Sequence, residues 1–334
     1  MLFQPAIIAL LLVAGLGLLA LAAAAPGALQ MVRHWDLASG SRRQLGFERR
    51  TWLMSTLVRF VLFAQLAALL LFVLNAERMA PQFVGAMCAV GTLQANGWGF
   101  PALLAQLALF FAAAQWLLID HADNQARDYP LLRIKYGLLL TLLLPLVGLV
   151  FALQLAYFSN LRADVITSCC GSLFSVDAQS VAGELAGLPP GPALAGFYLV
   201  LLATLAAHAH HLRTRRGAAL AGLFSALAFV VGIAGIVSFL ALYIYEHPHH
   251  HCPFCLLQAE HGYIGYLLYP PLFAAAVSGT GVGVLAPFRH RPGLRPVLPA
   301  LMARLSRLAL AGFVLFLALT SVLIARSGLK LLGA

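Results

Sequence analysis

Long apolar runs alternate with short polar connections along the whole chain, and eight of the runs reach membrane-crossing length. They fall at about residues 5–25, 52–74, 100–119, 136–158, 194–211, 219–245, 262–287 and 308–325. About 20 apolar residues in a helix cross a hydrocarbon core of roughly 30 Å. The pattern predicts an all-α polytopic membrane helical bundle of about eight transmembrane helices, in a single integral membrane domain over residues 1–334. A weak 4+4 division is expected near 159–193, where Gly187-Leu-Pro-Pro-Gly-Pro192 resets the chain. The first run has too long an apolar core for a signal peptide and no basic segment before it, so it is expected to be a retained helix. No internal repeat supports an inverted-repeat transporter.

Composition agrees with this pattern. The chain is 62% hydrophobic and 10% charged, with a mean hydropathy of +0.90, whereas a soluble domain carries about 25% charged residues. The formal net charge of +10 suggests nucleic acid until its distribution is read. Arg33, Arg42, Arg43, Arg49 and Arg50 follow the first run, and Arg127, Arg133 and Lys135 the third. Arg213, Arg215 and Arg216 follow the fifth, and Arg289, Arg291, Arg295, Arg304 and Arg307 the seventh. The alternate connections and the tail hold only Arg78, Arg162, Arg326 and Lys330. Basic residues mark cytoplasmic loops, so both termini are expected to be extracytoplasmic. The excess charge records topology and excludes nucleic acid as a partner. A multi-pass protein of the bacterial inner membrane, in contact with the lipid bilayer, is the expected setting.

All eleven acidic residues fall in loops or at helix mouths, which argues against an ion-coupled transporter. Arg59 alone sits inside an apolar run, with snorkelling to the interface as its expected role and contact with a quinone or lipid headgroup as the alternative. No histidine is central to a run, and Leu256, not histidine, follows Cys255, so haem is not expected.

The five cysteines all lie in connections assigned to the outer side, where disulfides are permitted. The densest connection is Glu246-His-Pro-His-His-His-Cys-Pro-Phe-Cys-Leu-Leu-Gln-Ala-Glu260. A CxxC at the start of a helix has a thiol facing free N–H groups and the positive end of the dipole, which favours thiolate. Pro253 suits a first helical turn. His247, His249, His250 and His251 lower a thiol pKa when protonated and ligate metal when neutral. Cys169 and Cys170 are adjacent, and a disulfide between them is strained and easily reduced. Cys88 is flanked by Met79 and Met87, and thiolate with thioether suits Cu(I).

Cys252-Pro-Phe-Cys-Leu-Leu-Gln258, leading into Tyr263-Ile-Gly-Tyr266 and an apolar helix, resembles the redox motif of DsbB-type disulfide-generating membrane proteins. The resemblance covers Cys252 to Tyr266 and implies that Cys252 and Cys255 pass electrons to a quinone. It also implies that Cys169 or Cys170, with Cys88, exchange disulfides with a soluble partner. The family has four helices, and Gln258-Ala-Glu-His261 carries no counterpart of its quinone-supporting arginine.

Two site readings therefore stand beside a structural one, that of a membrane subunit whose cysteines staple loops. In a thiol–disulfide oxidoreductase, Cys252 and Cys255 are the main pair, Cys169 and Cys170 the relay, and His251 or His261 the activating base. In a copper or other soft-metal protein, Cys88, Met87, His247, His249 and His250 join the cysteines as ligands. A periplasmic thiol protein is the partner in the first case and a metallochaperone in the second. An odd number of cysteines leaves at least one thiol free, awaiting a partner, or bound to metal.

Overall fold

Each of the eight apolar runs forms a helix long and apolar enough to cross a membrane. The computed structural model describes residues 2–36, 42–126, 128–162, 164–167 and 181–329, and among them every regular element is helical, as an all-α polytopic protein requires. All but the seventh span are longer than the apolar runs, because polar residues continue those helices at their ends. Helix α1 is Pro5–His34 and α2 Arg42–Met79, followed by a short α3 at Ala89–Gln94. Helix α4 is Gly99–Gln125. The fourth span joins α5 (Leu132–Leu138) to α6 (Leu144–Ser159) through a π-helical turn at Leu139–Leu143. Pro145 lacks the N–H that would bond the Thr141 carbonyl, and the widened turn accommodates its loss. After the short α7 (Val181–Ala186), α8 spans Pro190–Thr214. Helix α9 (Ala218–Gly235) runs through a second π turn, Ile236–Leu240, into α10 (Ala241–Tyr245). Helices α11 (Gly265–Leu285) and α12 (Leu298–Arg326) complete the chain.

The described residues group into two units. The first holds the described residues of 1–84, 92–167 and 288–298, and the second those of 85–91, 168–287 and 299–334. In the first unit, Val58, Leu62, Leu109, Trp116, Tyr136, Val147 and their neighbours form the apolar core. Three fully buried glutamines cross it. Gln154 Nε2 donates to Gln106 Oε1 at 3.0 Å, Gln106 Nε2 to the Gln65 carbonyl at 3.1 Å, and Gln65 Nε2 to the Val13 carbonyl at 3.1 Å. Such bonds tie helices together where lipid offers no alternative partner.

Asp120 and Asp123 stand within the last two turns of α4, yet they are buried and paired. Lys135, fully buried, lies 2.9 Å from Asp120 and 2.8 Å from Asp123. Arg59 reaches the other Asp120 oxygen through Nε, so the expected snorkelling arginine is an ion-paired one. Two acids and two bases neutralise one another there, which is the condition for burying charge.

In the second unit, Phe197, Phe239, Phe313, Phe316, Leu268 and Leu272 are central. Helices α9 and α11 touch backbone to backbone: a Cβ at Gly222 would lie 2.5 Å from Gly283 Cα. No other residue type fits this crossing, the small-residue packing found between membrane helices.

Candidate functional site

The site belongs to the second unit and is built from Gly85–Gly91 and the connection between α10 and α11. That connection begins where Glu246 adopts a left-handed conformation, φ 52°, just before Pro248. It ends at Gly262, φ 64°, where glycine permits the reversal into α11. Between them the chain makes two 3₁₀ turns, Cys255–Leu257 and Ala259–His261. The CxxC is thus not at an α-helix N-terminus, because α11 begins ten residues after Cys255. The expected helix-dipole stabilisation of a thiolate has no basis in this geometry.

Side chains, not a helix, hold the CxxC backbone. Tyr245 Oη donates to the Cys252 carbonyl and Tyr269 Oη to the Pro253 carbonyl, each at 2.6 Å. Gln258 Nε2 donates to the Met87 carbonyl at 2.7 Å and joins the two loops. The sulfurs of Cys88, Cys252 and Cys255 then lie within 4.8 Å of one another. Cys88 and Cys252 sulfurs are 3.5 Å apart although 164 residues separate them in the chain. The three residues are 0%, 1% and 3% exposed. The Cys252 thiol is pushed well above its ordinary pKa, first by its hydrogen bond with Cys255 and also by burial, against an opposing bond with Cys88. A buried Cys252 thiol held protonated is a poor nucleophile, but metal binding deprotonates a coordinating thiol outright.

The histidines become more buried along the chain toward Cys252. His247 and His249 are exposed, His250 is half-buried and His251 is buried. His251 Nδ1 lies 2.8 Å from the Val237 carbonyl in the second π turn. A carbonyl only accepts, so Nδ1 carries the proton and Nε2 keeps the lone pair, the tautomer that second-shell bonds impose on metal-ligating histidines. His250 and His261 stack on the Tyr245 ring, with centroids 4.3 Å and 4.2 Å from it. Burial lowers the pKa of His250, His251 and His261, and neighbouring histidines lower those of His250 and His251 further. These imidazoles are neutral near pH 7.

The fold therefore brings together Cys88, Cys252 and Cys255 and surrounds their loop with His247, His249, His250, His251 and His261. Among the described residues no histidine nitrogen joins the three sulfurs at the same mutual spacing. The Met87 side chain is 75% exposed, and its carbonyl is the atom that serves the site. Cys169 and Cys170 lie outside the described residues. Tyr245, Tyr269 and Gln258 are the site residues that sequence reasoning missed. The tyrosines carry a signal only as polar groups at helix mouths, where interfacial anchoring gives the same pattern. No protein-family model, curated protein or solved structure matches the chain, so residues and geometry alone carry the functional reading.

Proposed function

We propose that this multi-pass membrane protein binds a soft metal ion, Cu(I) foremost, on Cys88, Cys252 and Cys255. The observation that carries the reading is the mutual spacing of three buried sulfurs drawn from two distant loops. Sulfurs each about 2.3 Å from a common ion stand about 4.0 Å apart in a trigonal plane and about 3.8 Å apart on a tetrahedron. The observed separations, 3.5 Å for one pair and no more than 4.8 Å for any, need little adjustment to accept such an ion. A sulfur-only donor set favours Cu(I) over hard or borderline ions. Burial withholds the ion from water and oxygen, as a carrier or assembly protein on the non-cytoplasmic side requires.

The test is anaerobic Cu(I) titration of the detergent-purified chain against a chromophoric competitor. One equivalent is expected to bind tightly. Loss of an outer-shell partner costs roughly 10–100-fold in affinity, so Cys88→Ser, Cys252→Ser or Cys255→Ser is expected to cost more than about 100-fold. Wild-type affinity in all three variants sinks the proposal.

Thiol–disulfide exchange is the second reading, favoured by the CxxC with a third sulfur 3.5 Å from Cys252. Closing Cys252–Cys255 releases two electrons and two protons to an acceptor, the quinone that the DsbB-type resemblance implies. Cys88 then attacks that disulfide to move it onto Cys88–Cys252. Mass spectrometry after alkylation separates the readings, since only the redox one requires a disulfide that forms with quinone and opens with reductant.

A further inference from the structure

Three cysteines at 0–3% exposure pose a problem of access. A hydrated ion does not reach them directly, and stripping its water at once is costly. The chain immediately before Cys252 offers another route. His247 and His249 are exposed, and their rings are 6.1 Å apart. His250 lies 6.5 Å from His247 and 6.1 Å from His261, centroid to centroid. Its Nε2 is buried with no hydrogen-bond partner. His251, 4% exposed, presents its proton to Val237 and keeps its Nε2 lone pair. Cys252 follows directly, 1% exposed.

We propose that His247, His249, His250 and His251 form a graded loading path that carries a monovalent soft ion from solvent to the sulfur cluster. This inference rests on the metal-binding reading above. Among the described residues no histidine nitrogen stands with the three sulfurs, so the histidines are not final ligands; His247 lies 6.1 Å from His249 and 6.5 Å from His250, and His251 adjoins Cys252 in the chain, an order that suits successive transfer. At each step a bond to one imidazole forms as the bond behind it breaks, and the ion stays in the +1 state throughout. At the last step three metal–sulfur bonds form and the three thiol protons leave to water. Nitrogen donors hold Cu(I) less tightly than thiolate does, so the gradient of donor softness runs inward with burial.

The experiment uses the full chain in detergent, without oxygen, with Cu(I) presented as its bicinchoninate complex, whose absorbance falls as copper transfers. The His247→Ala/His249→Ala variant and the same variant with His250→Ala are expected to reach the wild-type one-equivalent endpoint. Their loading rate is expected to be lower by about tenfold or more. Replacing His247 and His249 by methionine, whose thioether also takes Cu(I), restores the rate, which a structural role does not predict. An unchanged rate in the alanine variants overturns the path and leaves the sulfur site standing. Loss of the bound equivalent also overturns it, because the histidines are then ligands. Failure of the underlying reading is separate: wild-type protein takes no copper, and the cysteine variants behave as wild type.

Discussion

At the scale of single residues, the tyrosine clamps decide whether the three sulfurs stay together. Tyr245 and Tyr269, half-buried at the mouths of α10 and α11, each donate to a CxxC carbonyl at 2.6 Å. Tyr245→Phe or Tyr269→Phe is expected to cost about 1 kcal/mol of stability and roughly tenfold in Cu(I) affinity, read by thermal unfolding and competitor titration. The fall in affinity should be larger in the double variant, and an unchanged affinity refutes the clamp. His261 governs a pH effect. Burial holds its pKa below the ordinary value, against an opposing push from Glu260, so the folded chain binds fewer protons than the unfolded one. Stability then rises with pH: the contribution of His261 is intact above about 6.5 and is lost as pH falls through the lower folded value. The melting temperature of metal-free protein is expected to drop between about pH 7 and pH 5, and less steeply in His261→Gln. Sequence reading reached the cysteines and histidines because their residue types are chemically conspicuous. It missed Gln258 and the tyrosines, whose importance comes from contacts with Met87, Cys252 and Pro253 rather than from any local pattern.

At the scale of elements, the spans were legible and their mutual arrangement was not. A run such as 219–245 announces a membrane helix by length alone, but nothing local marks the π turn at Ile236–Leu240 that receives His251. The CxxC was expected to open a helix because Pro253 fits a first turn, and the two intervening 3₁₀ turns give no distinct sequence signal. Asp120, Asp123 and Lys135 show the same limit, since a charge near a helix end reads as exposed unless partners 15 residues away in the chain are known to converge. Their pairing makes a sharp prediction for the packing of α4 against α5. Lys135→Met leaves Asp123 buried without its cation and Asp120 with Arg59 alone, and is expected to cost about 3–5 kcal/mol, measured by unfolding in detergent. The joint variant Lys135→Met/Asp123→Asn removes one charge of each sign and is expected to recover part of the loss. Equal losses in the two variants exclude the pair as a structural tie.

At the scale of the whole molecule, the distribution of arginine predicts which ends of the helices meet the cytoplasm. In a chain with its native cysteines replaced by serine, Glu260→Cys is expected to react with a membrane-impermeant maleimide in intact cells, and Arg215→Cys only after lysis. The reverse result inverts the topology and puts the sulfur site in the reducing compartment. The eight spans and their order follow from hydropathy, but the two-unit grouping depends on how residues 85–91 and 288–298 cross from one stretch of chain to another. That interleaving has a consequence for biogenesis. Cys88 leaves the ribosome 164 residues ahead of Cys252, which at about 5–20 residues per second is a wait of roughly 8–33 seconds. Throughout that interval the nascent thiol has neither its sulfur neighbours nor its cover. If the arginine distribution sets the topology as read, Cys88 faces an oxidising compartment unshielded until the sixth span, α9–α10, and its following loop arrive, and premature disulfides at this one position are the expected misfolded product.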